Sequence, residues 1–172
     1  LTWEKTDDEI EAVFTLADAL RYMRENNIST TDEMTAYQSR TEETLADLMK
    51  QRTILNVQKK KRQPLFQALT NEEALAPAKR LYTLGHSGME TEAQQYLDAV
   101  TLLDSCGESR EALSQQQSEL YTKLADLNQE LRQVRKQIKM CEEIREQDAV
   151  MQENIREIEQ TEKEVKNHNK QR

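Results

Sequence analysis

Apolar residues recur along this chain at intervals of three and four, the spacing that puts them on one face of an α-helix. Thr6 and Glu9 have capping-box spacing, and Ile10, Val13, Leu16, Ala17, Leu20 and Met23 then form a stripe that stops at Asn26 and Asn27. This predicts a first helix. Thr30 and Glu33 form a second capping box ahead of Met34, Tyr37, Thr41, Leu45, Leu48 and Leu55, predicting a second helix to about residue 62, with Pro64 as its end or a kink. From 63 to 108 the pattern shortens: Pro77 suits a first helical position, Gly85 and Gly88 suit a turn, and Thr91 and Gln94 suggest a third capping box. The helix after that box is expected to bury Tyr96, Leu97, Val100 and Leu103 and to end at Gly107.

From Ser109 onward no breaker occurs, and Leu113, Leu120, Leu124, Leu127, Leu131, Val134, Ile138 and Cys141 alternate as in a coiled-coil seam. Ile144, Met151, Ile155, Ile158 and Val165 then follow a frame displaced by three residues, a stammer. The expected fold is all-α, an elongated antiparallel coiled-coil hairpin with a small helical tip. Residues 1–62 form one arm of two consecutive helices, 63–108 the tip, and 109–172 the return arm. With Arg62 roughly opposite Ser109, equal helical rise sets Thr31 opposite residue 140, so the stammer faces the break between the first two helices. On that register the first helix covers residues 145–165, with Ile10, Val13, Ala17 and Leu20 facing Ile144, Met151, Ile155 and Ile158. The alternative folds it onto the second helix and leaves the C-terminal stripe for another chain.

Composition narrows the picture. Three Gly and two Pro in 172 residues leave too little turn chemistry for a sandwich, a barrel or a doubly wound sheet. Charged residues at 33% and aromatics at 5% fit exposed helices whose apolar residues are confined to one stripe. No apolar run reaches the ~20 residues that cross a bilayer, and the first residues lack the basic and apolar regions of a signal peptide. Membrane insertion is not expected and a cytoplasmic location is. A start at Leu1 without Met suggests a fragment or a processed product. Cys106 and Cys141 read as two reduced, structural thiols.

Chemistry-bearing motifs are missing. His86 falls in an expected turn, as a helix cap or a solvated side chain, and His168 in a polar tail; neither has the neighbours of a metal site. No phosphate-binding Gly-rich loop and no nucleophile elbow occur. The chain is therefore expected to be non-catalytic, with no cofactor and no metal. Trp3, Tyr82 and Tyr96 read as packing anchors.

Charge is uneven. The net value is −8, yet residues 50–62 carry Lys50, Arg52, Lys59, Lys60, Lys61 and Arg62 with no acid. These cations read either as a solvated helix end complementing the helix dipole or as a contact for phosphate or an acidic partner surface. Aromatic residues for base stacking are absent from the run. The tip has two basic and seven acidic residues. Residues 16–40 resemble a helix-turn-helix in outline, but Asp32, Glu33, Glu42 and Glu43 would repel phosphates, so a plain connection between helices is expected.

The segment from Ala19 to Thr30, ALRYMRENNIST, resembles an A-L-x-[YF]-L-x-E-x-G-I-[TS]-S stretch found C-terminal to the nuclease domain in mobilisation relaxases of Gram-positive type. Leu84, Gly85, His86 and Ser87 resemble the turn that follows in that family, and Leu113 through Tyr121 its later helix. The resemblance covers roughly residues 10–145 and is clearest at 16–35. Two features depart from the family: acidic and neutral residues replace its basic run in the tip, and Asn27 stands where Gly is frequent. The resemblance implies a helical interaction or scaffold module of a plasmid or transposon mobilisation protein. Its partners would be a second copy, the nuclease domain, the transfer machinery or DNA. The family's nicking tyrosine and histidine-bound metal lie outside this segment, so a DNA-nicking parent is implied without catalysis here. A structural dimerisation or tethering coiled coil unrelated to DNA transfer is the competing expectation.

Overall fold

The computed structural model describes residues 15–171. They form four helices: α1 (Leu16–Glu25), α2 (Thr31–Thr83), α3 (Glu90–Ser105) and α4 (Arg110–Lys170). No strand occurs among the described residues, and the chain is all-α as its spacing predicts. The chain divides into two compact units, one of residues 1–45 with 133–172 and one of residues 46–132.

In the first unit, α1 starts later than the apolar stripe suggests. Thr15 is its N-cap, and Thr15 and Asp18 bond reciprocally through side chain and backbone, a capping box. Thr6, Glu9, Ile10 and Val13 lie outside the described residues. The helix ends where expected, at the asparagines. Asn27 adopts φ 56°, the left-handed conformation, while the Ile28 amide donates to the Met23 carbonyl at 2.8 Å and the Asn27 amide to Arg24 at 3.2 Å. That pair of bonds is a Schellman motif, which satisfies the last helical carbonyls and turns Ile28 inward. Thr30 then caps α2: its hydroxyl accepts from the Glu33 amide at 3.1 Å, and the Glu33 carboxylate accepts from the Ser29 amide. Ala19, Ile28 and Met34 pack with Cys141 and Ile144, with Tyr22, Met23 and Tyr37 around them. The stammer thus lies against the break between α1 and α2. The contacts combine the two sequence readings: α1 touches α4 through Ala19 and folds onto α2 through Tyr22, whose ring meets Tyr37 edge-on at 6.1 Å.

In the second unit the expected boundaries shift. α2 continues past residue 62 to Thr83 with Pro64 and Pro77 inside it, so neither proline ends the helix and no separate short helix opens at Pro77. Proline removes one backbone donor and crowds the carbonyl four residues back, a cost of ~3 kcal/mol in an isolated helix. Here the following turn is held from the side. Phe66, 1% exposed, packs on Leu120 and Leu124, and Ala68 joins Ala99, Leu103 and Leu113. Burial of those side chains, at ~25 cal/mol per Å² of apolar surface, offsets the lost hydrogen bond. The real end of α2 is a second Schellman motif, with Gly85 at φ 89° and the His86 amide on the Leu81 carbonyl at 3.1 Å.

The register moves with the longer helix. Arg62 meets residues near Ser109 only by extending its guanidinium to Glu108 at 2.8 Å. The helix-to-helix alignment is set by Phe66 against Leu120 and by Glu72 beside Arg110, at 2.7 Å. In the first unit, Thr35 meets α4, accepting from Arg145 at 3.3 Å. α3 also differs from expectation. Its N-cap is Met89 without a side-chain bond, so Thr91 lies inside the helix and no capping box forms with Gln94. Its buried face is Ala93, Ala99 and Leu103, while Tyr96 and Val100 are half-buried and Leu97 is exposed. Small alanines let α3 approach α2 closely, and that choice of face turns Leu97 outward. Cys106 follows α3 and Gly107, at φ 78°, reverses the chain as expected, after which the Ser109 hydroxyl caps α4 by accepting from the Ala112 amide at 3.1 Å.

Candidate interaction surfaces

α4 changes character along its length. Leu113, Leu120, Leu124, Leu127, Leu131, Val134, Cys141 and Ile144 are buried, and Ile138 is half-buried. The expected seam residues Leu120, Leu124, Leu127, Leu131 and Val134 therefore face protein. Beyond Ile144 the same spacing continues without close cover from the described residues: Val150, Met151, Ile155, Ile158 and Val165 are between 41% and 60% exposed. α1 begins at Leu16 and Leu20 is itself 55% exposed, so Leu20 shares a groove with Met151 without burying it, and Ile10 and Val13, expected to face the stripe, lie outside the described residues. Between α1 and α4, Leu16, Leu20, Met23, Met34, Ile144 and Met151 line an open groove of about 550 Å³ that runs into the stripe. An exposed apolar face of this length on a helix is a site for another helix or an aggregation hazard.

The six cations at residues 50–62 do not form one patch. At 100° per residue, Lys50 and Lys61 share one side of α2, Arg52 and Lys59 the opposite side, and Lys60 and Arg62 lie between. Two of them serve the fold. The Lys59 ammonium lies 5.1 Å from the ring centre of Tyr121, and Arg62 pairs with Glu108, whose carboxyl is held below its usual range first by that bond and then by Gln116. Because α2 runs on to Thr83, the run sits in mid-helix, and these charges do not complement the negative end of the helix dipole as expected. Lys50, Lys60 and Lys61 are exposed and make no ion pair among the described residues. Between them on the same side stand Ile54, 58% exposed, and Val57, 48% exposed. The sequence singles out neither residue, since both fall outside the expected α2 stripe that runs through Leu48 and Leu55.

Several other titratable groups make contacts within the fold. Arg110 pairs with Glu72 through two parallel bonds and with Asp104 at 2.9 Å, joining α2, α3 and α4. Burial pushes the Cys141 thiol up, and burial together with the bond to Tyr37 at 2.8 Å raises the Tyr22 phenol. Cys106 is half-buried, its thiol directed at the Leu103 carbonyl. The His86 side chain is exposed, and only its backbone closes α2. Tyr82, expected as an anchor, is 43% exposed beside Lys79. Among the described residues no group of three or more His, Cys, Asp and Glu could hold a metal ion, and no helix is long and apolar enough to cross a membrane. Trp3 lies outside the described residues. In comparisons with known proteins, no family model, no curated protein and no solved structure matches the chain.

Proposed function

We propose that this chain is a non-catalytic helical interaction module whose docking face is the C-terminal part of α4. One observation carries the reading: a single helix buries its apolar stripe as far as Ile144 and then presents Met151, Ile155 and Ile158 to solvent at unchanged spacing. A stripe of that kind lacks cover from the described residues, and its burial against a partner helix would contribute ~1.5–3 kcal/mol per large side chain. Replacing Ile155 and Ile158 by Glu tests it. The thermal midpoint should hold within about 2 °C while any association of the full chain is lost, and a collapse of stability would make the stripe part of the fold instead.

Its setting follows from the resemblance at residues 19–30: a scaffold piece of a cytoplasmic, relaxase-like mobilisation protein. At Asn27, where the family often has Gly, the backbone is left-handed, a conformation that glycine adopts readily, and this agrees with the comparison. Coding sequence upstream of Leu1 decides the point. A histidine metal motif of H-x-[DH]-x-[DH] form is expected there, and a coding region without one removes the relaxase setting and leaves a tethering coiled coil.

A further inference from the structure

The surface of α2 that remains free carries the complement of the α4 stripe. Lys50, Ile54, Val57 and Lys61 fall within about 60° around the α2 axis, giving a cation, two exposed apolar residues and a second cation over ~17 Å of helix. On α4, Asp148, Met151, Ile155, Ile158 and Glu162 fall within about 80°, giving an acid, three exposed apolar residues and a second acid over ~21 Å. The wider charge balance has the same sign relation. Residues 50–62 hold six bases and no acid, and residues 146–164 hold seven acids and two bases. The bases Arg156 and Lys163 lie more than about 100° round the helix from Met151, away from the stripe.

We infer that the α4 stripe of one copy docks on the Lys50–Ile54–Val57–Lys61 face of α2 in a second copy. Ile155 and Ile158 would cover Ile54 and Val57, with Lys50 and Lys61 reaching the flanking acids. The occupant is chosen by two features at once. A phosphate backbone would match the lysines but leave Ile54 and Val57 in water, and an uncharged apolar helix would leave the lysines unpaired. A second copy supplies both the apolar cover and the acids. Because the two faces differ, the contact is heterologous: it closes if two copies exchange both contacts and grows if they cannot.

This inference rests on the α4 stripe being a docking face, and the experiment separates the two. Sedimentation of the full chain at concentrations on the order of 100 µM, suited to a small and weak interface, should show species above the monomer at low salt that diminish as salt is raised. Reversing the cations (Lys50→Glu with Lys61→Glu) should weaken association roughly tenfold or more, and so should reversing the acids (Asp148→Lys with Glu162→Lys). Each reversed chain alone should be monomeric, and an equimolar mixture of the two should associate again, because the mixture offers one contact with the original charges and one with the charges inverted. All four positions are exposed, and far-ultraviolet circular dichroism of each variant checks that it folds. A monomeric wild-type chain at that concentration overturns the inference. Association abolished by Ile155→Glu with Ile158→Glu but unmoved by the lysine reversals overturns it while keeping the α4 docking face. Salt-sensitive binding of a DNA duplex by a chain that stays monomeric assigns Lys50 and Lys61 to phosphate instead.

Discussion

Pro64→Ala should stabilise the protein, an outcome that follows only if α2 is continuous through residues 60–68. In a helix the amide of residue 64 would donate to the carbonyl of Lys60, and proline has no amide to give. Alanine restores the donor and removes the ring from the path of that carbonyl, a gain of up to ~3 kcal/mol at an interior position. The unfolded chain gains freedom when proline is replaced, which returns ~0.4–1 kcal/mol. Pro64 is exposed, so the smaller side chain opens no cavity beneath it, and Phe66 and Ala68 keep their places against α4 and α3. The net expectation is a stabilisation of about 1–2 kcal/mol, read as a higher urea midpoint at unchanged slope. A lower midpoint would show that Pro64 holds a bend or a helix end that the fold requires, and the continuous helix would be refuted.

Leu131→Ala, at a side chain 1% exposed, should cost about 2–4 kcal/mol, whereas Leu84→Ala, at one 76% exposed, should stay within about 0.5 kcal/mol; equal losses in denaturant titration would contradict the seam. Arg110→Met removes pairs whose side chains are 26–61% exposed, so a small loss of stability that shrinks with added salt is expected, and a large loss insensitive to salt would mean the network is better shielded than its exposure indicates. Asp18 and Glu108 have carboxyls held below their usual values, the first mainly by the Thr15 backbone and the second mainly by Arg62. Depressed carboxyls contribute stability that is complete above the unfolded value near ~4 and lost as pH falls through the folded one, so acid titration should lower stability there and Glu108→Gln should flatten the response. With limiting iodoacetamide, Cys106 should be alkylated before Cys141, which is fully buried with its thiol pushed up; the reverse order would mean α4 opens around residue 141.

The sequence carried the features that repeat or that are local. Helix, seam and stammer were legible because a three-four spacing has one structural meaning, and the ends at Asn27 and Gly107 because a left-handed residue must be supplied by a residue able to adopt it. The α1 start at Thr15 was hidden by apolar residues on both sides of the cap, which continue the helical spacing across it. Pro64 and Pro77 misled because a local breaker rule was set against packing of Phe66 and Ala68, and packing is invisible until the partner residues are known. The register followed that error, since a helix extended to Thr83 brings Glu72 to Arg110. On the surfaces, charge was countable but facing was not. The run at residues 50–62 divides into cations that hold the fold and cations beside Ile54 and Val57, and only the position of α4 makes that division.

Hydrogen exchange along α4 as a function of protein concentration tests the docking face most directly. At high dilution, amides at residues 150–165 should exchange quickly, because a helix without tertiary cover opens locally at little cost, while amides at residues 120–141 stay protected by their buried seam. Raising the concentration should slow exchange at 150–165 and leave 120–141 unchanged. Protection at 150–165 that is already complete in the dilute chain would contradict the account, since the stripe would then be covered within one molecule and free for no partner.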